Sequence, residues 1–231
     1  EQESGFYAGM AAALESETKK VAVVNGIAYP SNVNYQYGFE SGVNYANAKY
    51  DTGVEFVELP SYAGTDVTNT NVAGNYVGTF DDLETGKVVG EALIAQGVDI
   101  MFVAAGGSGI GVFTAAKEHA SAMIVGCDVD QYDDGESGTR NVVLTTGLKI
   151  MDLNIYRQLN AIKDGTFTGG NVLLLADTDS TGFVSEDGRH QMSEDTVAKI
   201  LEAEVLIKDG TIVPAANFNG IDSADFPGMD S

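Results

Sequence analysis

The sequence predicts an α/β protein built on a parallel sheet with helices on both faces. Two observations predict it. Strand-like and helix-like segments alternate almost without exception along the 231 residues. The strand-like segments are continuous apolar runs rather than alternating ones, the pattern of strands buried on both faces. In such sheets ligands bind outside the carboxyl ends of the strands, so those ends are where chemistry is expected.

Each element follows from local sequence. The segment SGFYAGMAAAL at 4–14 is small, apolar and rich in helix formers, and predicts a tightly packed helix. KVAVV at 20–24 is a short β-branched run closed by Asn25-Gly26, and predicts a buried parallel strand. A helix capped by Ser31 or Asn32 follows and runs to Tyr50. A second strand covers 54–59 and is stopped by Pro60. Residues 61–79 are rich in Gly, Asn and Thr and predict irregular structure. Residues 81–96 predict a helix with acids at the positive end of its dipole and Gly97 closing it. A third strand at 99–104 leads into the glycine-rich turn Gly106-Gly107-Ser108-Gly109-Ile110-Gly111, then a helix at 112–119. The fourth strand, 122–127, runs into the acidic turn Asp128-Val129-Asp130-Gln131. A fifth strand at 141–146, a long helix at 148–163 and a sixth strand at 171–176 come next. Ser193, with Thr196 behind it, opens a last helix to about Lys208. The tail after Pro214 has no periodicity and predicts loose chain.

Charge narrows the function classes. The chain carries 34 acidic and 12 basic side chains, a net charge of −22. This field repels phosphate and excludes non-specific nucleic-acid binding. It excludes docking of a basic patch on anionic lipid for the same reason. An apolar content of 44% supports a packed core rather than disorder. Cys127 is the one cysteine, so no intrachain disulfide forms, and His119 and His190 make no zinc cluster with it. No apolar run reaches the roughly 18–20 residues of a membrane helix.

Four strand ends carry candidate chemistry: Asn25, residues 106–113, residues 128–131 and residues 145–149. The glycine turn has two readings, an anion or dinucleotide cradle and a tight turn that needs positive φ. The dinucleotide fingerprint G-x-G-x-x-G does not fit it in register. Asp128 ends a strand, where a carboxylate accepts two hydrogen bonds from a sugar diol; its bland alternative is a solvated turn acid. Asp130 shares that alternative, and Asp-x-Asp with no third ligand does not make a calcium loop. Lys149 is read as opening a helix, where the dipole disfavours a cation. Its position then calls for a partner such as Asp128 or a ligand acceptor. Phe113 is either core or a stacking face for a flat ligand. No nucleophile-and-base arrangement, P-loop lysine or H-E-x-x-H occurs, so the residues support a binding module, without cofactor or metal, rather than an enzyme.

Several runs, taken in order, resemble one family. They are Gly38-Phe39-Glu40-Ser41-Gly42-Val43, Gly78-Thr79-Phe80-Asp81-Asp82 and Gly86-Lys87, then Val103 through Phe113 (VAAGGSGIGVF). Val125-Gly126-Cys127-Asp128-Val129-Asp130-Gln131 and Leu144-Thr145-Thr146-Gly147-Leu148-Lys149 follow. Together they resemble the basic membrane protein family, the purine nucleoside receptor A-like substrate-binding lipoproteins of ABC-type importers. The resemblance implies a type I periplasmic-binding-protein fold, two Rossmann-like lobes joined by a hinge, with a nucleoside between them. It implies that Phe113 stacks on the base, Asp128 binds the ribose hydroxyls, Lys149 makes a polar contact near the hinge and Gly106 allows close backbone approach. Asp130 is then a turn residue. It also implies a transporter permease as partner and a location at the extracellular face of the cell membrane, where the family is lipid-anchored.

The resemblance starts late, because the family's first lobe is missing from it. Residues 1–19 then correspond to a crossover or hinge helix and 20–147 to a Rossmann-like ligand-binding lobe. Residues 148–184 correspond to a segment that in the family returns to the first lobe, and 185–231 to a final helix and tail. Segment 148–184 must extend its own sheet, pair with another chain as a homodimer, or expose apolar surface. The alternatives to a truncated nucleoside-binding protein are an NAD(P)-dependent oxidoreductase using the 106–111 turn with Asp128, and a self-associating lobe that binds nothing.

Overall fold

A computed structural model describes residues 1–224 and Phe226. The elements, in chain order, are α1 (Gln2–Glu15), β1 (Lys20–Asn25), α2 (Pro30–Tyr50), β2 (Glu55–Phe56), β3 (Gly64–Thr65) and β4 (Asn71–Ala73). They continue with α3 (Leu83–Ala95), β5 (Ile100–Ala104), α4 (Gly109–Glu118), β6 (Met123–Asp128), β7 (Glu136–Ser137) and β8 (Arg140–Asn141). The last are β9 (Val143–Lys149), α5 (Met151–Lys163), β10 (Thr181–Phe183) and α6 (Glu194–Lys208). Six strands form one sheet in the order β10-β9-β6-β5-β1-β2. All pairs are parallel except β10 with β9. The expected α/β fold is the observed one.

Alternation along the central strands sends side chains to two cores. Val21, Val23, Ile100, Phe102 and Val125 face α1, α2 and α6. Ala22, Val24, Met101, Val103 and Ile124 face α3 and α4. Residues 2–13 of α1 are all buried, and glycines on α1 and α2 bring the two backbones together. A Cβ at Gly9 would lie 2.1 Å from the Phe39 carbonyl oxygen, and one at Gly42 would lie 2.1 Å from that of Phe6. No larger residue fits this crossing.

Several boundaries differ from the sequence expectation. Helix α2 starts at Pro30, with Tyr29 at the cap position, because proline is suited to the first helical turn. Ser31 and Asn32 therefore lie inside the helix and do not cap it. The second strand keeps only Glu55–Phe56 in the ladder before Pro60 opens a 3-10 turn. The irregular stretch contains the small β3–β4 hairpin. Strand β9 runs on through Lys149, where β10 pairs with it, so α5 begins at Met151 and not at residue 148. Residues 171–176 form no strand; 171–175 have no regular structure and Ala176 opens a 3-10 turn. The tail is docked rather than loose. The Ala215 amide donates to Ser41 Oγ at 3.1 Å, the Asn217 amide to Asn34 Oδ1 at 2.8 Å, and Asn44 Nδ2 to the Ser223 carbonyl at 2.6 Å. Ser223 also donates its hydroxyl to the buried Glu40, whose carboxyl burial pushes up to about 7. The tail is held by α2 side chains, which leave no periodic trace in the tail itself. Residues 225 and 227–231 of that tail lie outside the described ones.

Helix α5 buries none of its residues. Ile155, Leu159 and Ile162, spaced along one face, are 58–60% exposed, and Tyr156 beside them is 64% exposed. Of the outcomes expected for segment 148–184, two are seen. Its two ends extend the sheet, residues 148–149 within β9 and 181–183 as β10, and its helix exposes apolar surface.

Candidate functional site

A cavity of about 770 Å³ opens at the carboxyl ends of β5, β6 and β9, beside the start of α2; Asn25 at the end of β1 does not line it. Phe113, Asp128, Lys149 and Gly106, which the sequence singled out separately, all line it. Its floor is set by Asn32, whose Nδ2 donates to Asn25 Oδ1 at 3.1 Å and to the Ala104 carbonyl at 2.7 Å. Asn32 thus ties α2 to the ends of β1 and β5.

The glycine turn divides its work. Gly106 has φ +54 and sits under Phe80, whose Cβ lies 3.3 Å from where a side chain would begin. Gly107 and Ser108 continue as a 3-10 turn, and Gly109 already belongs to α4. The Ser108 hydroxyl accepts from the Asp82 amide at 2.9 Å and donates to the Thr79 carbonyl at 3.0 Å, which pins the turn to the start of α3. Gly111 lets α3 and α4 touch, because a Cβ there would lie 2.0 Å from the Leu83 carbonyl oxygen. Only Gly106 among these four glycines uses a positive φ; Gly111 serves packing.

Asp128 closes β6 in a sharp bend. Its φ is +70, and the Val129 amide donates across it to the Cys127 carbonyl at 2.9 Å. That is a three-residue γ-turn of the strained sense, a conformation that collects at functional positions. Gln131 fastens the bend by accepting the Cys127 amide at 2.9 Å. The Tyr35 hydroxyl donates to Asp128 Oδ1 at 2.6 Å. Burial, with Asp128 adding to it, pushes the Cys127 thiol far up, so it is a neutral wall and not a nucleophile.

Lys149 stands at the end of β9, not at a helix start, and its partner is the Glu1 carboxylate at 2.6 Å rather than Asp128. Burial disfavours its charge, but Glu1 and the more distant Asp128 outweigh that and raise its pKa. Phe113 is core, 6% exposed and part of the second core, and its side chain also contributes to the cavity wall. Asp130 does not line the cavity; it accepts the Tyr132 amide at 2.9 Å and Arg189 Nε at 2.7 Å.

Sequence reasoning gave no place in the site to Tyr35, Asn32 or Phe80. Phe80 is the more open aromatic, half-buried and facing Tyr29 at 6.1 Å between ring centroids. A signal for it existed, since it directly precedes the Asp81-Asp82 helix start and therefore sits at a loop-to-helix corner. Tyr35 had none, because its partner is 93 positions away.

The sequence and the fold have relatives. The family model for Bmp, described as ABC transporter substrate-binding protein PnrA-like, matches residues 1–61 and 62–217. The CD4+ T-cell-stimulating antigen of Listeria monocytogenes is 27% identical over 224 residues, which cover 92% of this chain and 57% of that protein. Basic membrane protein D of Borreliella burgdorferi is 30% identical over 213 residues, covering 91% of this chain and 56% of that protein. The chain thus spans about half the length of the curated relatives it matches. Among solved structures, an ABC transporter solute-binding protein from Aeropyrum pernix superposes with a TM-score of 0.73 at 23% identity, over 95% of this chain and 66% of that one. A transcriptional activator of the comK gene from Bacillus halodurans gives 0.72 at 21% identity, over 93% and 65%. At these identities the two structures speak for the fold alone.

Proposed function

Since the chain belongs to the Bmp family of PnrA-like ABC transporter substrate-binding proteins, we propose that it is a ligand-holding lobe of a solute-binding protein for purine nucleosides. The observation that carries this is the meeting of Gly106, Phe113, Asp128 and Lys149 on one cavity. In this reading Phe113, with Phe80 beside the glycine turn, supplies the aromatic wall for the base. Asp128 accepts from ribose hydroxyls, and a charged acceptor makes the stronger kind of hydrogen bond. Lys149 supplies a donor at the far end, and Gly106 lets the backbone approach the ligand. A cavity of about 770 Å³ is within the range that holds small ligands, about 300–1,000 Å³. The protein works at the outer face of the membrane, lipid-anchored, and hands its nucleoside to a transporter permease.

Titration calorimetry of the chain with adenosine, guanosine and inosine, with their 5′-monophosphates and with NAD tests this. Uncharged nucleosides are expected to bind and the phosphates not to, because a net charge of −22 repels them. Binding of NAD with no response to any nucleoside would favour the oxidoreductase alternative instead.

A second element rests on α5. Its open apolar stripe is the kind of surface that associates, and in this chain it pairs with a second copy. Light scattering is expected to give twice the chain mass, reverting to the monomer in Leu159→Asp. A monomeric parent chain would remove the dimer from the proposal.

A further inference from the structure

The bond between Tyr35 and Asp128 joins α2 to the end of β6. Tyr35 is 4% exposed. Its ring meets Phe102 edge-on at 5.6 Å between centroids, and Phe102 stacks on Phe39 at 6.0 Å. The phenol is thus fixed by the first core and brings no freedom of its own to the site. Burial, reinforced by Cys127 and Asp128, keeps its proton on, so it is a donor at every working pH. Among the described residues, nothing else hydrogen-bonds the Asp128 carboxylate. Asp128 sits on a strained bend at φ +70, and a carboxylate there, without Tyr35, is free to rotate about its own side chain.

We propose that Tyr35 is the positioning residue of Asp128, holding one carboxylate oxygen so that the other is aimed at a ligand hydroxyl. This rests on the nucleoside reading of the cavity. It makes the site a reader of one hydroxyl through one fixed oxygen. Preorganisation of this kind strengthens binding by removing the ordering cost at the moment of contact.

Tyr35→Phe keeps the ring and its packing and removes only the donor. Its affinity for the ribonucleoside is expected to fall about ten-fold, the worth of one hydrogen bond to a charged group, with an unchanged melting temperature. The 2′-deoxy and 3′-deoxy analogues separate positioning from general damage. The one lacking the hydroxyl that Asp128 reads is expected to bind Tyr35→Phe and the parent equally. Equal losses for all three ligands, or no loss for any, would overturn the proposal. The Tyr35 hydroxyl proton, seen by NMR as a slowly exchanging downfield signal and lost in Tyr35→Phe and Asp128→Ala, reports the pairing without any ligand. If no nucleoside binds the parent chain, the functional reading fails. In that case the signal's presence upholds the pairing, and its absence overturns it.

Discussion

Gly42→Ala is expected to destabilise the chain by about 3 kcal/mol or more, at the upper end of what overpacking costs. The sign is the informative part. In an exposed helix the same exchange stabilises by about 1 kcal/mol, because alanine is the better helix former. Here the new Cβ meets backbone on both sides. It would lie 2.1 Å from the Phe6 carbonyl oxygen and 2.9 Å from the Met10 amide nitrogen. Backbone has no rotamer to change, so α1 and α2 must part. Parting them loosens Phe6 against Tyr45, now 5.4 Å apart between ring centroids, in the middle of the first core. Gly9→Ala meets the same obstacle from the other helix and should behave alike. Urea denaturation reads both: the midpoint should fall with the slope unchanged. A variant as stable as the parent would mean that the two helices do not cross as closely as described.

Asp128→Asn is the second large effect, and it falls on binding. Asparagine is the other residue that tolerates left-handed backbone, so the bend at φ +70 survives the exchange. Its amide oxygen still accepts from Tyr35. What disappears is the charge and one acceptor. Nucleoside affinity is expected to fall ten- to a hundred-fold, about 1.5–3 kcal/mol for hydrogen bonds to a charged group. The melting temperature should stay close to the parent's. Calorimetry on both proteins decides it, and unchanged affinity would take Asp128 out of the site.

How far sequence foretold this structure varies by residue. The order of the central parallel strands and their helices was legible because buried parallel strands are short apolar runs, and Val21 to Val24 or Ile100 to Ala104 cannot be mistaken for loop; the expected strand at 171–176 and the unforeseen short β10 show where that signal ends. The cavity's position followed from the same topology. Lys149 was misplaced because Gly147-Leu148-Lys149 holds no strand signal of its own; β9 extends there because β6 pairs with it through Leu148 and β10 through Lys149. The glycine turn looked like one device and is two, since Gly106 bends the chain while Gly111 makes room for α3. Tyr35 on Asp128, Asn32 on Asn25 and Ser223 on Glu40 are side-chain contacts across the fold, and periodicity carries no information about them.

The two ends of the main sheet have a consequence of another kind. Its outer strands are β2, with two residues, and β10, with three. An outer strand with unpaired backbone is a template on which other chains add strands, and short outer strands are one of the ways proteins avoid it. Two- and three-residue templates are too short to seed a fibre. The sticky surface of this chain is instead a helix, whose backbone is already satisfied internally. Under the α5 pairing proposed above, copies meet through helix side chains rather than by adding strands to the sheet.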